Sequence, residues 1–245
     1  EARQLPTPQA VKVAAVSAAG ASKNDIEVKE FLHGVRPFQH DLPQVPSEAR
    51  ELPVLGEYDV VVVGGGTGGA PAGIGAGRQG VKTLVIETQY NLGGVGTIGM
   101  IGGYYFGNRS GFTKEHDADV VKLGAKVHLV GKTECWRREN RRAGTEVWFG
   151  SMGCGALVEK GQVTGVVVAT PAGRGVVRAK TVIDATGNSD IASAAGATTV
   201  FIGADEIAVQ GVGEPTRLLG ASYINSDFSF VNDSDAFDLC FFALR

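Results

Sequence analysis

The stretch from Tyr58 to Glu87, YDVVVVGGGTGGAPAGIGAGRQGVKTLVIE, decides the fold that the sequence predicts. Its first six residues end in four consecutive valines, and such a continuous apolar run is typical of a strand buried on both faces of a parallel sheet. A glycine-rich turn then leads into a predicted helix over Thr67–Arg78. Residues Val81–Glu87 predict a second buried strand, so the whole stretch predicts one strand–helix–strand unit.

Three glycines between the first strand and the helix have the spacing of a dinucleotide site. Gly64, Gly66 and Gly69 form a GxGxxG pattern, in which the glycines permit a tight turn, close approach to a pyrophosphate and close helix–strand packing. The helix N-terminus would offer N–H groups and a positive dipole end to the phosphates. Glu87 follows Gly64 by 23 residues, where a carboxylate can accept hydrogen bonds from ribose hydroxyls. The pattern favours a dinucleotide site over an ordinary glycine turn.

Glycine also marks one face of the predicted helix. Gly69, Gly73 and Gly77 recur at every fourth residue and therefore share that face. Glycine in a helix costs about 1 kcal/mol relative to alanine. This cost is understandable if the face lies tightly against a strand, which is what we expect.

The overall composition excludes several classes of protein. The net charge of −3 gives no indication of nucleic-acid binding, and no apolar run is long enough for a membrane helix. Three cysteines without a CxxC pair argue against a disulfide framework, and the histidines lack metal-ligand spacing, so no metal site is expected. Residues 11–21 are small and apolar but no basic segment precedes them. We therefore expect a cytoplasmic protein, with an exported form as the alternative.

The N-terminal part of the chain differs from the rest. Six of the nine prolines lie within the first 53 residues, so this part predicts an extended or irregular arm with one short helix near Asp25–Leu32. A surface linker is the favoured interpretation of the arm. After the strand–helix–strand unit comes a glycine-dense loop over residues 91–111.

The remaining predicted elements are a charged helix, a short strand, a β-meander and a returning buried strand. In chain order these are Lys132–Ala143, Glu146–Phe149, the three meander runs Cys154–Glu159, Val163–Thr170 and Gly175–Ala179, and the strand Thr181–Ala185. On the charged helix, Glu134 and Arg138 have favourable i,i+4 spacing. His116 is interpreted as part of a polar loop. Cys135 and Cys154 are interpreted as small buried hydrophobic residues rather than reactive thiols.

Three stretches resemble the FAD-dependent oxidoreductases of the glutathione-reductase-like superfamily, and in particular the bacterial family described simply as FAD-dependent oxidoreductase. They are DVVVVGGGTGGAPAG (59–73), VIETQYNLGGVGT (85–97) and VTGVVVATPAGRGVVRAKTVIDATGNSDIASAAGA (163–197). The resemblance covers about residues 57–245. It implies an α/β fold with a Rossmann-like FAD-binding domain over residues 57–199, which carries the meander as an insertion. Residues 1–56 would be a proline-rich extension, and residues 200–245 the beginning of a substrate domain that is incomplete here.

The resemblance also implies which residues hold FAD. In such flavoproteins the first motif holds the pyrophosphate and the acid after the second strand holds the adenosine ribose. The LGG loop approaches the pyrophosphate and flavin, and the ATG strand end closes on the cofactor. These roles implicate Gly64, Gly66, Thr67, Gly68, Gly69, Glu87, Gly93, Gly94, Thr97, Thr186, Gly187 and Asp190. Ala156 and Leu157 occupy the stretch whose backbone often meets adenine in these proteins.

The type of flavin chemistry is narrowed by what the sequence lacks. No cysteine pair follows the LGG loop and no second GxGxxG follows a strand, so the reductant would be a small-molecule substrate or an electron-transfer partner. Tyr104, Asn108 and Arg109 follow the loop towards the expected flavin ring and are the candidate catalytic residues. The alternative is that Tyr104 and its neighbour Tyr105 only fill a domain interface. Neither the substrate nor the oligomeric state is predicted.

Two functions remain open at this point. The leading hypothesis is an FAD-dependent oxidoreductase that transfers a hydride between an organic substrate and the flavin. The alternative is a flavin-binding subunit without substrate chemistry, which would serve electron transfer or assembly.

Overall fold

The computed structural model of the chain describes residues 10–11, 26–30, 45–46, 51–103 and 110–200. The first compact unit of the chain spans Glu1–Thr198. The strands of the described ranges are β1 (Ala10–Val11), β2 (Ile26–Glu30), β3 (Leu52–Val63), β4 (Thr83–Ile86), β5 (Glu146–Trp148), β6 (Met152–Glu159), β7 (Gln162–Thr170) and β8 (Gly173–Asp184). The helices are α1 (Gly69–Arg78), α2 (Phe112–Lys122), α3 (His128–Arg142) and α4 (Asp190–Ala194). In these ranges no helix is long and apolar enough to cross a membrane.

The strands form one mixed sheet in the order β2-β6-β7-β8-β3-β4-β5, and β1 adds to β3. The strands from β8 to β5 run parallel, whereas β2, β6, β7 and the first half of β8 pair antiparallel. Val63 is paired with both Ile86 and Asp184, and Ile86 is paired with Trp148. Four parallel strands therefore end side by side at one edge of the sheet.

Strand β3 is buried on both faces, as its valine run predicts. Val61 and Val63 pack into an apolar cluster that includes residues of the meander strands. Val62 points to the other face and packs with Ile74 of α1 and Trp136 of α3. Because successive side chains of a strand alternate between its faces, one run of valines joins both halves of the core.

The glycine face of α1 makes the close contacts that its spacing predicts, but with two different neighbours. A Cβ built on Gly73 would lie 2.4 Å from Val85 Cγ2 of β4, which confirms the tight packing against a strand. A Cβ on Gly77 would instead lie 2.6 Å from the carbonyl oxygen of Ala143, where α3 ends. The helix thus fits between the sheet and the end of α3 because Gly73 and Gly77 have no side chain at these two contacts.

Two predictions about the secondary structure are wrong. The short helix predicted near Asp25–Leu32 is strand β2, which pairs antiparallel with β6 and so extends the edge of the sheet. Its sequence IEVKE alternates β-branched and charged residues, which suits a strand with one face on the sheet. The separate strands predicted at Gly175–Ala179 and Thr181–Ala185 form the single strand β8, because Lys180 stays extended with its side chain exposed.

His116 is not part of a polar loop, as its neighbours Glu115 and Asp117 suggested. It lies in α2, is only 3% exposed, and its ring stacks on Trp136 of α3 with the ring centroids 3.5 Å apart. Neither ring nitrogen has a hydrogen-bond partner among the described residues. Burial, followed by the nearby charge of Lys132, lowers the pKa of His116 to about 4. The imidazole is therefore a neutral packing surface between two helices.

The predictions for the pair Glu134 and Arg138 and for Cys135, all in α3, agree with the structure. Glu134 receives hydrogen bonds from Arg138 at 2.6 Å and from Arg137 at 2.7 Å, and these bonds lower the pKa of Glu134 to about 2. Cys135 is buried, and burial raises the pKa of its thiol to about 11. A thiol with that pKa is protonated at neutral pH, so the side chain packs as a small hydrophobe.

Two glycines of α1 provide a matched test of this packing. Gly75→Ala should raise the free energy of unfolding by about 1 kcal/mol, since the added Cβ would meet no described atom within 4 Å apart from its chain neighbours and the backbone of its own helix. Gly73→Ala brings the same gain in helix propensity but forces a Cβ against Val85, so it should lower the free energy of unfolding by about 1–3 kcal/mol. Urea unfolding of both variants measures the difference. Equal stabilisation by both would contradict the packing of α1 on β4.

The burial of His116 predicts a loss of stability in mild acid. The folded protein takes up this proton only near pH 4, whereas the unfolded chain takes it up near the ordinary histidine pKa of about 6.5. The unfolded state therefore binds more protons between these values, and about 1–2 kcal/mol of stability is lost between pH 7 and pH 5. His116→Phe keeps the ring stack and should remove this loss. His128→Phe, on the exposed start of α3, is the control and should retain it.

Candidate functional site

A cleft of about 470 Å³ opens where the parallel strands end. The turns that follow β3, β4 and β8 form three of its walls, and the start of β6 forms the fourth. The residues that line it are Val63, Gly64, Gly66, Thr67, Gly68, Ile86, Glu87, Thr88, Gln89, Gly94, Val95, Met152, Gly153, Ala185, Thr186, Gly187 and Asp190. Ligands of open α/β sheets bind at this position, outside the carboxyl ends of the strands.

The three glycines of the GxGxxG pattern have different surroundings. Gly64 has a φ of +94°, and a Cβ there would lie 2.3 Å from the carbonyl oxygen of Ala185. A Cβ on Gly69 would lie 1.7 Å from the carbonyl oxygen of Gly64. Gly66 faces open space instead, because the nearest described atom outside its chain neighbours is Gly94 Cα, at 4.0 Å from the Cβ position. The fold itself requires Gly64 and Gly69, whereas Gly66 keeps room for a ligand.

Glu87 joins the first two walls of the cleft. Its Oε2 accepts a hydrogen bond from the N–H of Gly65 at 2.7 Å, and its Oε1 accepts one from the N–H of Gln89 at 2.7 Å. The carboxylate therefore fixes the turn after β3 relative to the turn after β4. Each carboxylate oxygen can accept a further hydrogen bond, so the same side chain can also receive a ligand hydroxyl.

Threonine hydroxyls hold the loop after β4 in place. Thr97 and Thr133 both donate to the carbonyl oxygen of Leu92, at 2.7 and 3.1 Å. Thr67 donates to the carbonyl oxygen of Gly93 at 3.1 Å, and this hydroxyl ties the loop to the turn that precedes α1. The loop then forms one 3-10 turn over Gly94–Gly96, next to the cleft.

The ATG turn after β8 is organised by Asp184. Its Oδ1 accepts hydrogen bonds from the backbone N–H and the hydroxyl of Thr186, and its Oδ2 accepts one from the N–H of Ala192 at 2.8 Å. The hydroxyl of Thr186 in turn accepts a bond from the N–H of Asp190 at 3.0 Å. Burial, and then the nearby charge of Asp184, raise the pKa of the Asp190 carboxyl. This network holds Asp190 at the wall of the cleft.

The structure brings nine of the residues implicated by the sequence to the cleft. These are Gly64, Gly66, Thr67, Gly68, Glu87, Gly94, Thr186, Gly187 and Asp190. Gly69, Gly93 and Thr97 lie behind the lining and shape it through the contacts given above. The candidate catalytic residues Tyr104, Asn108 and Arg109 lie outside the described residues.

Ala156 and Leu157 do not line the cleft. They are at most 1% exposed within β6, where they pair with Val166 and Gly165 of β7. The part of β6 that does reach the cleft is its beginning, at Met152 and Gly153. The sequence predicts the meander only from Cys154 onward, so it does not predict this position. The predicted strand Glu146–Phe149 could have indicated this position. It corresponds to β5, which ends beside β4 at the cleft, so the residues that follow β5 begin at the cleft.

The arrangement suits a nucleotide with a diphosphate. The turn that leads into α1 lines the cleft at Gly66, Thr67 and Gly68, and the positive end of a helix dipole favours phosphate groups. Glu87 lines the same cleft and can accept hydrogen bonds from ribose hydroxyls. The lining carries two acidic residues, Glu87 and Asp190, and no Lys, Arg or His among its described members.

The chain is similar in part to several known proteins. The chain is 28% identical over 170 residues to digeranylgeranylglycerophospholipid reductase of Methanocella arvoryzae, and this match covers 54% of the chain and 39% of the relative. It is 34% identical over 115 residues to thiamine thiazole synthase of Methanococcus vannielii, and this match covers 46% of the chain and 40% of the relative. A solved structure, a geranylgeranyl bacteriochlorophyll reductase-like protein from Thermoplasma acidophilum, is 26% identical with a TM-score of 0.48, and covers 61% of this chain and 44% of that one. The chain thus spans well under half the length of these curated relatives.

A family model decides the assignment. The model described as FAD dependent oxidoreductase matches residues 59–238, which is more than half of the chain. The match confirms the Rossmann-like α/β fold and FAD as the cofactor, both of which the sequence predicts. The chain belongs to the FAD dependent oxidoreductase family.

Proposed function

We propose that this chain is the FAD-binding part of an oxidoreductase that transfers a hydride between a small organic substrate and flavin. The observation that carries the proposal is the open space at Gly66, in a cleft that the turn before α1 and Glu87 both line. Bound flavin supplies the redox chemistry, since its ring can take up or release a hydride. The protein supplies the binding, the orientation and the electrostatic environment.

The lining residues divide into three roles in this proposal. The turn Gly64–Gly69, at the positive end of the α1 dipole, holds the diphosphate, and the carboxylate of Glu87 holds the adenosine ribose. Gly187 and Asp190, positioned by the bonds of Asp184 and Thr186, close on the cofactor from the end of β8. The start of β6 at Met152 and Gly153 takes the place proposed for Ala156 and Leu157 as the surface near adenine, because only this part of β6 lines the cleft.

The superfamily, the domain boundaries and the catalytic residues are also part of the proposal. The meander that returns to the ATG turn supports a place in the glutathione-reductase-like superfamily, and the bacterial family is the finer assignment. Residues 57–199 would be the FAD-binding domain and residues 200–245 the beginning of the substrate domain. Asn108 or Arg109 would stabilise negative charge on the reduced flavin, and a tyrosine would border the substrate. A cytoplasmic location and an electron-transfer partner also stay predictions.

The first experiment tests FAD binding at Gly66. The full chain should take up FAD and show the visible absorption of a bound flavin, and Gly66→Val should weaken binding at least about 100-fold, because its side chain occupies the space kept for the diphosphate. Equilibrium titration followed by flavin fluorescence measures both affinities. Gly75→Ala, on the exposed side of α1, is the control and should bind FAD normally. A chain that takes up NAD and no FAD would refute the proposal, as would tight FAD binding by Gly66→Val.

The second experiment tests the carboxylate of Glu87. Glu87→Ala removes charge-assisted hydrogen bonds worth about 1.5–3 kcal/mol, so FAD affinity should fall by about ten- to a hundredfold. Glu87→Gln keeps one acceptor and should lose less. The same titration measures both variants, and circular dichroism of the ligand-free proteins checks that the sheet is intact. Unchanged affinity in both variants would mean that Glu87 only fixes the turns through Gly65 and Gln89.

A further inference from the structure

We propose that the outer edge of β2 (Ile26–Glu30) pairs antiparallel with the same strand of a second copy of this chain, so that the chain forms a weak dimer. The sheet would then continue from one copy into the other. The inference concerns a strand that is outside the cleft lining, and it does not depend on the proposed function. It assigns a role to a segment that the sequence predicts as a short helix.

Strand β2 lies at one end of the sheet. Along one edge, all five of its residues pair with β6. Among the strands of the described residues, none pairs with its other edge. Alternate backbone N–H and C=O groups of such an edge strand point away from its neighbour, so this edge is a template for another strand.

The side chains of β2 carry opposite charges two positions apart. Glu27 and Lys29 point to the same face of the sheet, and they form an ion pair at 3.4 Å with 56% and 36% of their side-chain surfaces exposed. Val28 points to the opposite face, where it packs against an apolar cluster of the sheet. Glu30 shares that face with Val28 and is paired with Arg174 of its own chain. The charges of β2 that an added strand would meet are therefore those of Glu27 and Lys29.

The order of these charges makes the strand complementary to its own copy. In an antiparallel pair centred on Val28, this valine lies opposite Val28 of the other copy, and Glu27 of each copy lies opposite Lys29 of the other. The two ion pairs then form one group of four charges, in which each charge neighbours two of opposite sign. Opposite charges that face each other across antiparallel strands stabilise the pairing.

Other registers lack this complementarity. A pair centred on Glu27 would place Glu27 opposite its own copy, and a pair centred on Lys29 would do the same for Lys29. Like charges directly opposite each other are destabilising. The sequence of the edge therefore selects the register centred on Val28.

The small size of the edge predicts a weak dimer. Five residues from each copy are far fewer than the roughly 20–30 that a typical stable interface uses on each side. We therefore expect a dissociation constant on the order of 100 µM, so that the chain is a monomer in dilute solution and a dimer at high concentration.

A protective role of the same charges makes different predictions. Natural proteins place lysine and other charged residues on edge strands, where they keep other chains away. If Glu27 and Lys29 protect the edge, reversal of either charge should leave self-association unchanged or increase it. If they select the register, reversal of one charge should decrease self-association, and reversal of both should leave it unchanged.

The test measures the mass of the full chain by sedimentation equilibrium from about 10 µM to about 1 mM, a range that brackets the expected dissociation constant. Glu27→Lys and Lys29→Glu each place like charges opposite one another at two positions of the dimer, so each should weaken association by about tenfold or more. The doubly substituted chain restores the alternation and should associate like the unsubstituted chain. Arg141→Glu, on the exposed side of α3, changes the net charge as Lys29→Glu does and should leave association unchanged.

An equimolar mixture of the two single variants separates this edge from any other surface. In the mixed dimer both positions again pair opposite charges, so the mixture should associate although each variant alone does not. Circular dichroism checks that every variant folds, and if one single variant does not fold, the other single variant and the doubly substituted chain decide.

Three outcomes would overturn the inference. The first is a chain that stays monomeric throughout the concentration range. The second is association of the single variants that equals or exceeds that of the unsubstituted chain, which would assign the two charges a protective role or none. The third is a mixture of the single variants that associates no more strongly than each variant alone.

Discussion

Gly69, in the first turn of α1, lies directly against the carbonyl of Gly64, so close that a Cβ would stand 1.7 Å from the oxygen. This contact brings the helix N-terminus to the end of β3, and the remaining walls of the cleft are arranged around it. Glu87 fixes the turn through the N–H of Gly65, and Thr67 fixes the neighbouring loop through the carbonyl of Gly93. The open space at Gly66 exists because its neighbours on either side are held by the protein.

Much of this unit follows from local sequence. Four consecutive valines in a strand are all removed from water only where both faces of the strand are covered. The structure buries Val61 and Val62 on opposite faces. The glycine spacing predicts the cleft at the end of β3. Glu87, at the end of β4, is predicted as a hydrogen-bond acceptor within it. The resemblance, and not a residue pattern, implicates the residues of the ATG turn. Their position depends on Asp184, whose bonds to Thr186 no periodicity reveals.

The predictions that failed concern residues whose state depends on distant partners. The segment IEVKE is compatible with a helix until β6 offers it an edge to pair with. His116 stands between two acidic residues, and only the approach of Trp136 from another helix makes it a buried ring.

The pairing of β3 with both β4 and β8 has a consequence for the order of folding. In the sheet Val63 pairs with Ile86, which follows it in the chain after a short crossover. It also pairs with Asp184, which follows it by about 120 residues. During synthesis β3, α1 and β4 are therefore complete long before the strand that covers the other edge of β3. Until β8 emerges, that edge presents unpaired backbone groups beside a run of valines, which is a combination prone to association with other chains. The meander ends in β8 and so brings to this edge the strand that covers it.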